Sequence, residues 1–463
     1  MFAALTDDRL IETTTSLCPE CMTRVEAWLV EKEGSVYLHK ECPVHGAQDA
    51  LLEKNAGYYR TRGAFDKPGD PSITQTRAER GCPFDCGLCP NHKQHTCIGL
   101  IEITRNCTLN CPDCYALTNR DGAEPDTPGT LSLEQVSSMM DFFQVTEGGK
   151  AEILQISGGE PTLHPQLLEI LRLAKAKAFK CVMLNTNGLR LASDESFVRA
   201  LAELAGGFEV YLQFDTFDPH ACEQLRGKDL IQAKRKAAEQ LDRYHVPTTL
   251  VATIKRGVND HELGRLVQFG MDTGSVRGIN FQPIAYFHGG HGGEAQSRTT
   301  LTEILERIES QTAGAIRLRD FVPLPCDVER VALAYLYRSA GRFTPISCGA
   351  SLSKHLPAIP NTFAFDADDL LAATRAGGPA SSCCDAAASF LRRLRPLIPA
   401  NYFRSTPAAK VAHVSSHTFR ISVSSFVDPY NFDLKSMQKE CVHVITPDFR
   451  RIPFSAYNMF HRV

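Results

Sequence analysis

Three cysteines, Cys107, Cys111 and Cys114, stand in the stretch NCTLNCPDCYA with C-x3-C-x2-C spacing. Three thiolates on one short loop can each take one iron of a cubane iron–sulfur cluster, which leaves the fourth iron without a protein ligand. An open metal position can bind a substrate or cofactor, as it does in catalytic zinc sites. The same spacing also serves a zinc knuckle, or a structural cluster closed by a distant fourth cysteine. Further along stands SGGEP, Ser157 to Pro161. Gly158 and Gly159 permit close backbone approach to a ligand, and Glu160 supplies a carboxylate for an ammonium group. Alone, SGGEP reads as a turn; paired with the cysteine loop it points to a site.

Other cysteines form further sets. GCPFDCGLCPNHKQHTC carries Cys82, Cys86, Cys89 and Cys97, four thiolates that can enclose an auxiliary cluster or a zinc ion. At the start, Cys18, Cys21, Cys42 and His45 make C-x2-C-x20-C-x2-H, a zinc-ribbon or rubredoxin-like knuckle for zinc or a single iron. Cys326, Cys348, Cys383 and Cys384 are widely spaced and read either as a third cluster or as buried free thiols. Cys181, Cys222 and Cys441 read as core cysteines, and His288 and His291 as part of an exposed glycine loop or moving lid. Ten of the 17 cysteines lie between Cys18 and Cys114, an odd and uneven distribution that favours metal over disulfides.

The elements that must position these residues follow from the pattern. Residues 1–60 read as a small β-rich metal module with a hairpin at Glu33-Gly34, and 61–97 as a loop organised by metal. From 98 to 296, short apolar strands alternate with amphipathic helices, which predicts βα units on a parallel sheet. The predicted strands are 98–104, 151–157, 180–186, 208–214, 247–254 and 277–284. Ser132 and Gln135 form a capping-box pattern, followed by Leu133, Val136, Met139, Met140 and Phe143 on one helix face. Six such units predict an α/β fold with a partial (β/α)6 barrel; a doubly wound open sheet is the competing topology. Residues 297–463 read as a mixed C-terminal domain. In a 463-residue chain with net charge −3 there is no global basic field for nucleic acid. No apolar run reaches the length of about 20 residues that a membrane helix needs. The chain reads as cytoplasmic, peripheral to a membrane if its substrate is a lipid.

The cysteine loop followed by GGEP resembles the radical S-adenosylmethionine (SAM) superfamily over roughly residues 98–290. The resemblance implies that Cys107, Cys111 and Cys114 hold a 4Fe-4S cluster whose free iron chelates the amino and carboxylate groups of SAM. It implies that Gly158, Gly159 and Glu160 contact the SAM amino group. It also implies that Asn187, Gln213, Asp215 and Gln282 line the SAM or substrate pocket. One electron then splits SAM into methionine and a 5′-deoxyadenosyl radical, which takes hydrogen from an unactivated carbon, with no protein base required. The family usually has an aromatic just before the third cysteine; this chain has Asp113 there and Tyr115 after it.

The whole layout is similar to one branch, that of the archaeal tetraether lipid synthase and the class D radical SAM methylases. The segments that carry this are CPEC…CPVHG, GCPFDCGLCPNHKQHTC, CPDCYA and CVHVITPDFRRIPFSAYN, where Ser455 replaces an expected cysteine. The branch implies two or three 4Fe-4S clusters, SAM, and zinc or mononuclear iron. It implies either methylation of a pterin-like carbon, with a folate-like methylene donor, or C–C bond formation between lipid chains. A flavodoxin or ferredoxin-type electron donor is the expected partner. A peptide-modifying maturase is one rival reading, opposed by a tail with only the adjacent Cys383-Cys384 pair. A non-enzymatic metal scaffold is another, opposed by the GGEP turn and the strand series.

Overall fold

The N-terminal ribbon folds because its apolar residues alternate and its turns are locally encoded. In the computed structural model, which describes residues 9–69, 73–116, 129–204, 206–287, 295, 297–339, 341–347, 361–363, 406, 413 and 416–462, four antiparallel strands open the chain. They are β1 (Arg9–Leu17), β2 (Arg24–Lys32), β3 (Ser35–Cys42) and β4 (Gly46–Glu53), in that order in one sheet. The β2–β3 loop is Glu33-Gly34, both at positive φ (49° and 75°), the conformation a tight two-residue hairpin demands. Lys40, fully buried, bonds Leu17 O within the sheet (2.8 Å) and fastens the sheet to the rest of the chain through the carbonyls of Pro429 and Tyr430 (2.9 Å each).

Six parallel strands form where the pattern predicts them: β5 (Ile98–Thr104), β6 (Ile153–Gly158), β7 (Cys181–Thr186), β8 (Phe208–Gln213), β9 (Thr248–Ile254) and β10 (Val276–Pro283). They pair in consecutive order, each parallel to the last. A doubly wound sheet would reverse its order at a switch point; this one winds in a single direction, as a partial barrel does. The helix Leu133–Thr146 starts on a capping box formed by Ser132 and Gln135 and buries Val136, Met139, Met140 and Phe143.

The remaining strands belong to the mixed C-terminal stretch. They are β11 (Val322–Pro323), β12 (Val331–Ser339), β13 (Arg342–Pro345), β14 (Thr418–Ser424), β15 (Val442–Ile445) and β16 (Arg451–Pro453). All join the core sheet, whose order is β11-β12-β14-β10-β9-β8-β7-β6-β5-β15-β16, with β13 on β12. β14 lies parallel to β10 and β15 parallel to β5.

Strand periodicity divides this sheet into two faces. Leu154, Ile156, Val182, Leu184, Val210, Leu212, Ile279 and Phe281 enter the main hydrophobic core. Their neighbours Gln155, Asn185, Gln213 and Asn280 line a cavity of about 250 Å³ on the other side.

Candidate functional site

Cys107, Cys111 and Cys114 follow β5 directly and line that cavity as half-buried thiols outside any disulfide. The GGEP turn ends β6 and closes against the same loop. Gly159 N donates to Thr104 O (2.8 Å) and Glu160 N to Asn106 O (2.7 Å). Gly158 has φ +138°, and a Cβ there would sit 2.2 Å from Thr104 O; one on Gly159 would sit 2.4 Å from Asn106 O. The glycines therefore serve first to bring two strand ends together, and their placement in the cavity wall follows from that.

Glu160 is buried at the join of β6 and β7. Its Oε1 accepts from Thr162 N (3.1 Å), Thr162 Oγ1 (2.6 Å) and Thr186 Oγ1 (2.7 Å), and its Oε2 from Asn187 N (2.7 Å). Oε2, with a single donor, retains capacity for an ammonium group. Asn187 Nδ2 donates to Thr108 Oγ1 (3.0 Å), which pins the cysteine loop to the end of β7. Gln213 Nε2 donates to Asn185 Oδ1 (3.0 Å), and Gln282 lies in the cavity wall at the end of β10.

Asp215 corrects an expectation, because it does not line the cavity. It is 3% exposed and held by Arg226, with Nη2 to Oδ1 at 2.5 Å and Nε to Oδ2 at 2.7 Å, and by Thr253 N at 3.0 Å. Burial opposes ionisation, yet Arg226 keeps the Asp215 carboxyl below the ordinary carboxylate range. Arg226 itself faces the cavity beside Cys111, and Lys234 lies in the same wall, donating to Gln213 O (2.5 Å). Burial brings the Lys234 ammonium down to about 8. Neither cation was singled out in the sequence. Arg226 ends the helix Pro219–Arg226, stopped by Gly227 in left-handed geometry, and Lys234 lies in the first turn of the next helix, Ile231–Arg243; neither position carries a local sequence signal for the cavity. Asp113, where an aromatic is usual, pairs with Lys255 (3.2 Å), while Tyr115 packs edge-on against Phe454 with ring centres 5.2 Å apart.

At the N-terminal ribbon the ligand atoms of Cys18, Cys21, Cys42 and His45 all lie within 4.8 Å of one another. Cys18 Sγ and Cys42 Sγ are 3.5 and 3.6 Å from His45 Nδ1, and Cys21 Sγ is 3.9 Å from Cys42 Sγ. Zinc–sulfur bonds of about 2.3 Å place the corners of a tetrahedron about 3.8 Å apart, so this donor set fits one tetrahedral ion.

The second cysteine segment divides. Cys82, Cys86 and Cys89 stay together around a small cavity shared with His92 and Met437. Cys97 leaves them. It joins Cys326 and Cys441, all three fully buried and with Sγ atoms within 4.8 Å of one another. Cys326 and Cys441 Sγ are 3.7 Å apart. His95 Nε2 is 3.6 Å from Cys97 Sγ, and His95 Nδ1 is 3.3 Å from Glu147, which Arg451 also engages. The assignments of Cys97 to the Cys82 set and of Cys441 to the plain core are thereby corrected. The reason is tertiary: Cys97 precedes β5, Cys441 precedes β15 and Cys326 lies between β11 and β12, at opposite ends of the strand order. They meet because the sheet curls until its ends face one another. Cys348, Cys383, Cys384, His288 and His291 lie outside the described residues. Cys181 is largely buried at the start of β7 and Cys222 packs with Leu109, Leu230 and Ile231. Ser455 Oγ donates to Glu440 Oε1 (3.0 Å) and accepts from Val427 N (3.0 Å).

Comparison with known proteins agrees with this layout. Residues 101–270 match the radical SAM superfamily, and residues 10–54 match the HMPTM N-terminal zinc ribbon domain. The chain is 32% identical to the 7,8-dihydro-6-hydroxymethylpterin dimethyltransferase of Methanocaldococcus jannaschii, over 97% of this chain and 94% of that protein. It is 29% identical to a probable GTP 3′,8-cyclase of Methanothermobacter thermautotrophicus over 38% of this chain and 54% of that one. Among solved structures it is similar to Streptococcus suis SuiB bound to the precursor peptide SuiA (TM-score 0.39, 16% identity, 48% of this chain and 46% of that one). It is also similar to a radical SAM methyltransferase from Sphaerobacter thermophilus (TM-score 0.32, 13% identity, 67% and 75% covered). A cysteine loop at the head of a singly wound parallel sheet, a GGEP turn zipped onto it and a near end-to-end relative together place the chain: it belongs to the radical SAM superfamily, in the branch of the pterin dimethyltransferase.

Proposed function

We propose that this radical SAM enzyme methylates a carbon of a pterin-type ring. The observation that carries the reading is the near end-to-end similarity to the pterin dimethyltransferase, which spans the ribbon, the core and the C-terminal strands alike. In this reading Cys107, Cys111 and Cys114 hold a 4Fe-4S cluster and Glu160 receives the SAM ammonium at Oε2. Arg226, fixed by Asp215 in a bidentate pair, presents its charge to the SAM carboxylate. Cluster and SAM supply one-electron hydrogen-abstraction chemistry at an unactivated carbon. The chain supplies the rest: a cavity with a polar belt of Gln155, Asn185, Gln213 and Asn280 and with aromatic side chains in its wall.

Cys97, Cys326 and Cys441, fully buried and with Sγ atoms within 4.8 Å of one another, hold one auxiliary centre, and Cys82, Cys86 and Cys89, which line one small cavity, hold another; thiol donors of this kind suit iron or zinc. An external donor of flavodoxin or ferredoxin type delivers the electron. The test is anaerobic reconstitution with reductant, SAM, a methylene-carrying folate-type donor and 7,8-dihydro-6-hydroxymethylpterin, followed by mass spectrometry. The expected products are 5′-deoxyadenosine and a pterin heavier by methyl groups. Deoxyadenosine formed without any change to the pterin, in the presence of a one-carbon donor, would reject the substrate while leaving the superfamily chemistry intact.

A further inference from the structure

The cavity that holds the loop thiols has a second polar wall that the radical chemistry leaves unused. It comes from segments outside the six βα units: Asp327 and Arg330 in the turn that leads into β12, and Glu440 just ahead of β15. All three are more than nine-tenths buried. Oδ1 of Asp327 and Oε2 of Glu440 have no hydrogen-bond partner among the described residues.

The wall is held firmly in place. Ser455 donates to Glu440 Oε1 through both its backbone N and its Oγ (3.0 Å each). Arg330 donates through Nε to Ser436 Oγ (2.6 Å) and through Nη2 to Asn431 O (3.2 Å). A buried acceptor left without a donor costs about 1–3 kcal/mol, and native chains keep few of them without a purpose. Beside these acceptors the cavity is bounded by Val331, Leu333, Phe363, Phe426 and Phe454. Flat apolar faces with convergent polar groups at one edge suit a planar heteroaromatic ring.

We propose that Asp327 and Glu440, flanked by Arg330, recognise the 2-amino-4-oxopyrimidine edge of a pterin-type substrate. The inference rests on the reading of the substrate as a pterin. The exocyclic amine and the adjacent ring N–H donate to the two carboxyls, and the ring carbonyl accepts from the guanidinium. Hydrogen-bonding sites of this kind reject analogues that lack the donor, because the buried acceptors are then left unpaired.

The experiment measures equilibrium binding to the full-length, metal-loaded protein under anaerobic conditions. The probes are 7,8-dihydro-6-hydroxymethylpterin and its analogue without the 2-amino group. The wild type is expected to bind the pterin at least about tenfold more tightly than the analogue. Glu440→Gln and Asp327→Asn are expected to weaken pterin binding by about tenfold or more and to erase that discrimination, with iron and zinc content unchanged. If the wild type binds neither probe, the pterin reading fails. If it binds the pterin and both variants match it, or if it binds the analogue equally well, the recognition site is overturned and the pterin reading stands. Lost affinity that tracks lost metal in both variants also overturns it, since both residues neighbour a thiol of the Cys97 group in sequence. The analogue comparison needs no variant, so a variant that fails to fold leaves the proposal exposed to test.

Discussion

Gly158, Asp215 and Lys234 show how much of the site is set by single side chains, or by the lack of one. Gly158→Ala puts a Cβ 2.2 Å from a backbone oxygen at φ +138°, where an L side chain is strained in any case. We expect a loss of about 3 kcal/mol or more, read as a fall in thermal midpoint, together with loss of SAM binding. Asp215→Asn removes the charge that Arg226 was built against. Breaking a buried pair from one side costs about 3–5 kcal/mol; denaturant midpoints check this, and SAM affinity should fall with them. Lys234 sets a pH dependence with a definite sign. Its folded-state value of about 8 lies below the ordinary 10.5, so the charged form is disfavoured in the folded protein. The cost is fully present below pH 8 and is relieved as pH rises toward 10.5. Relative to Lys234→Met, the wild type should gain about 2 kcal/mol between pH 7.5 and pH 9.5. Parallel thermal melts of the two proteins measure it, and a constant difference would contradict the assignment.

At the scale of elements, the thiol groups are statements about which segments meet. Cys97, Cys326 and Cys441 form one set across the two ends of the sheet, and Cys82, Cys86 and Cys89 form another. Native mass spectrometry should therefore find that Cys97→Ser, Cys326→Ser and Cys441→Ser lose the same metal complement. Cys82→Ser should lose a different one. If Cys97→Ser behaves like Cys82→Ser, the division of the second cysteine segment is wrong. Strand parity explains the polar belt in the same terms: Gln155, Asn185, Gln213 and Asn280 occupy cavity-facing positions while their neighbours enter the core. A one-residue slip in any of these strands would exchange the two sets.

For the whole molecule, the ribbon is coupled to the catalytic sheet rather than appended to it. Lys40 reaches two carbonyls across the interface, those of Pro429 and Tyr430, and Thr14 bonds Asp433 (2.5 Å). Removing the tetrahedral ion of the ribbon, by Cys42→Ser, should loosen the segment that carries Asp433 as well as the ribbon itself. Hydrogen exchange would show faster exchange in both places; protection lost in the ribbon alone would argue against coupling.

What the sequence determined by itself is what contiguous residues encode. The six core strands, the capping box at Ser132, the hairpin at Glu33-Gly34 and the ligand loops are each written within a few residues, because spacing along a short segment sets geometry directly. Only the tertiary structure decided which distant segments close the site. Cys441 reads as an ordinary core cysteine, and Asp215 as a cavity residue, until the sheet is curled and Arg226 is swung between the carboxylate and the cavity. Cys326, Asp327, Arg330 and Glu440 likewise carry no local signature. Their meaning comes from the curl of a sheet that brings Cys97 against Cys326 and Cys441 from distant parts of the chain, and no local pattern of apolar and polar residues records that curvature.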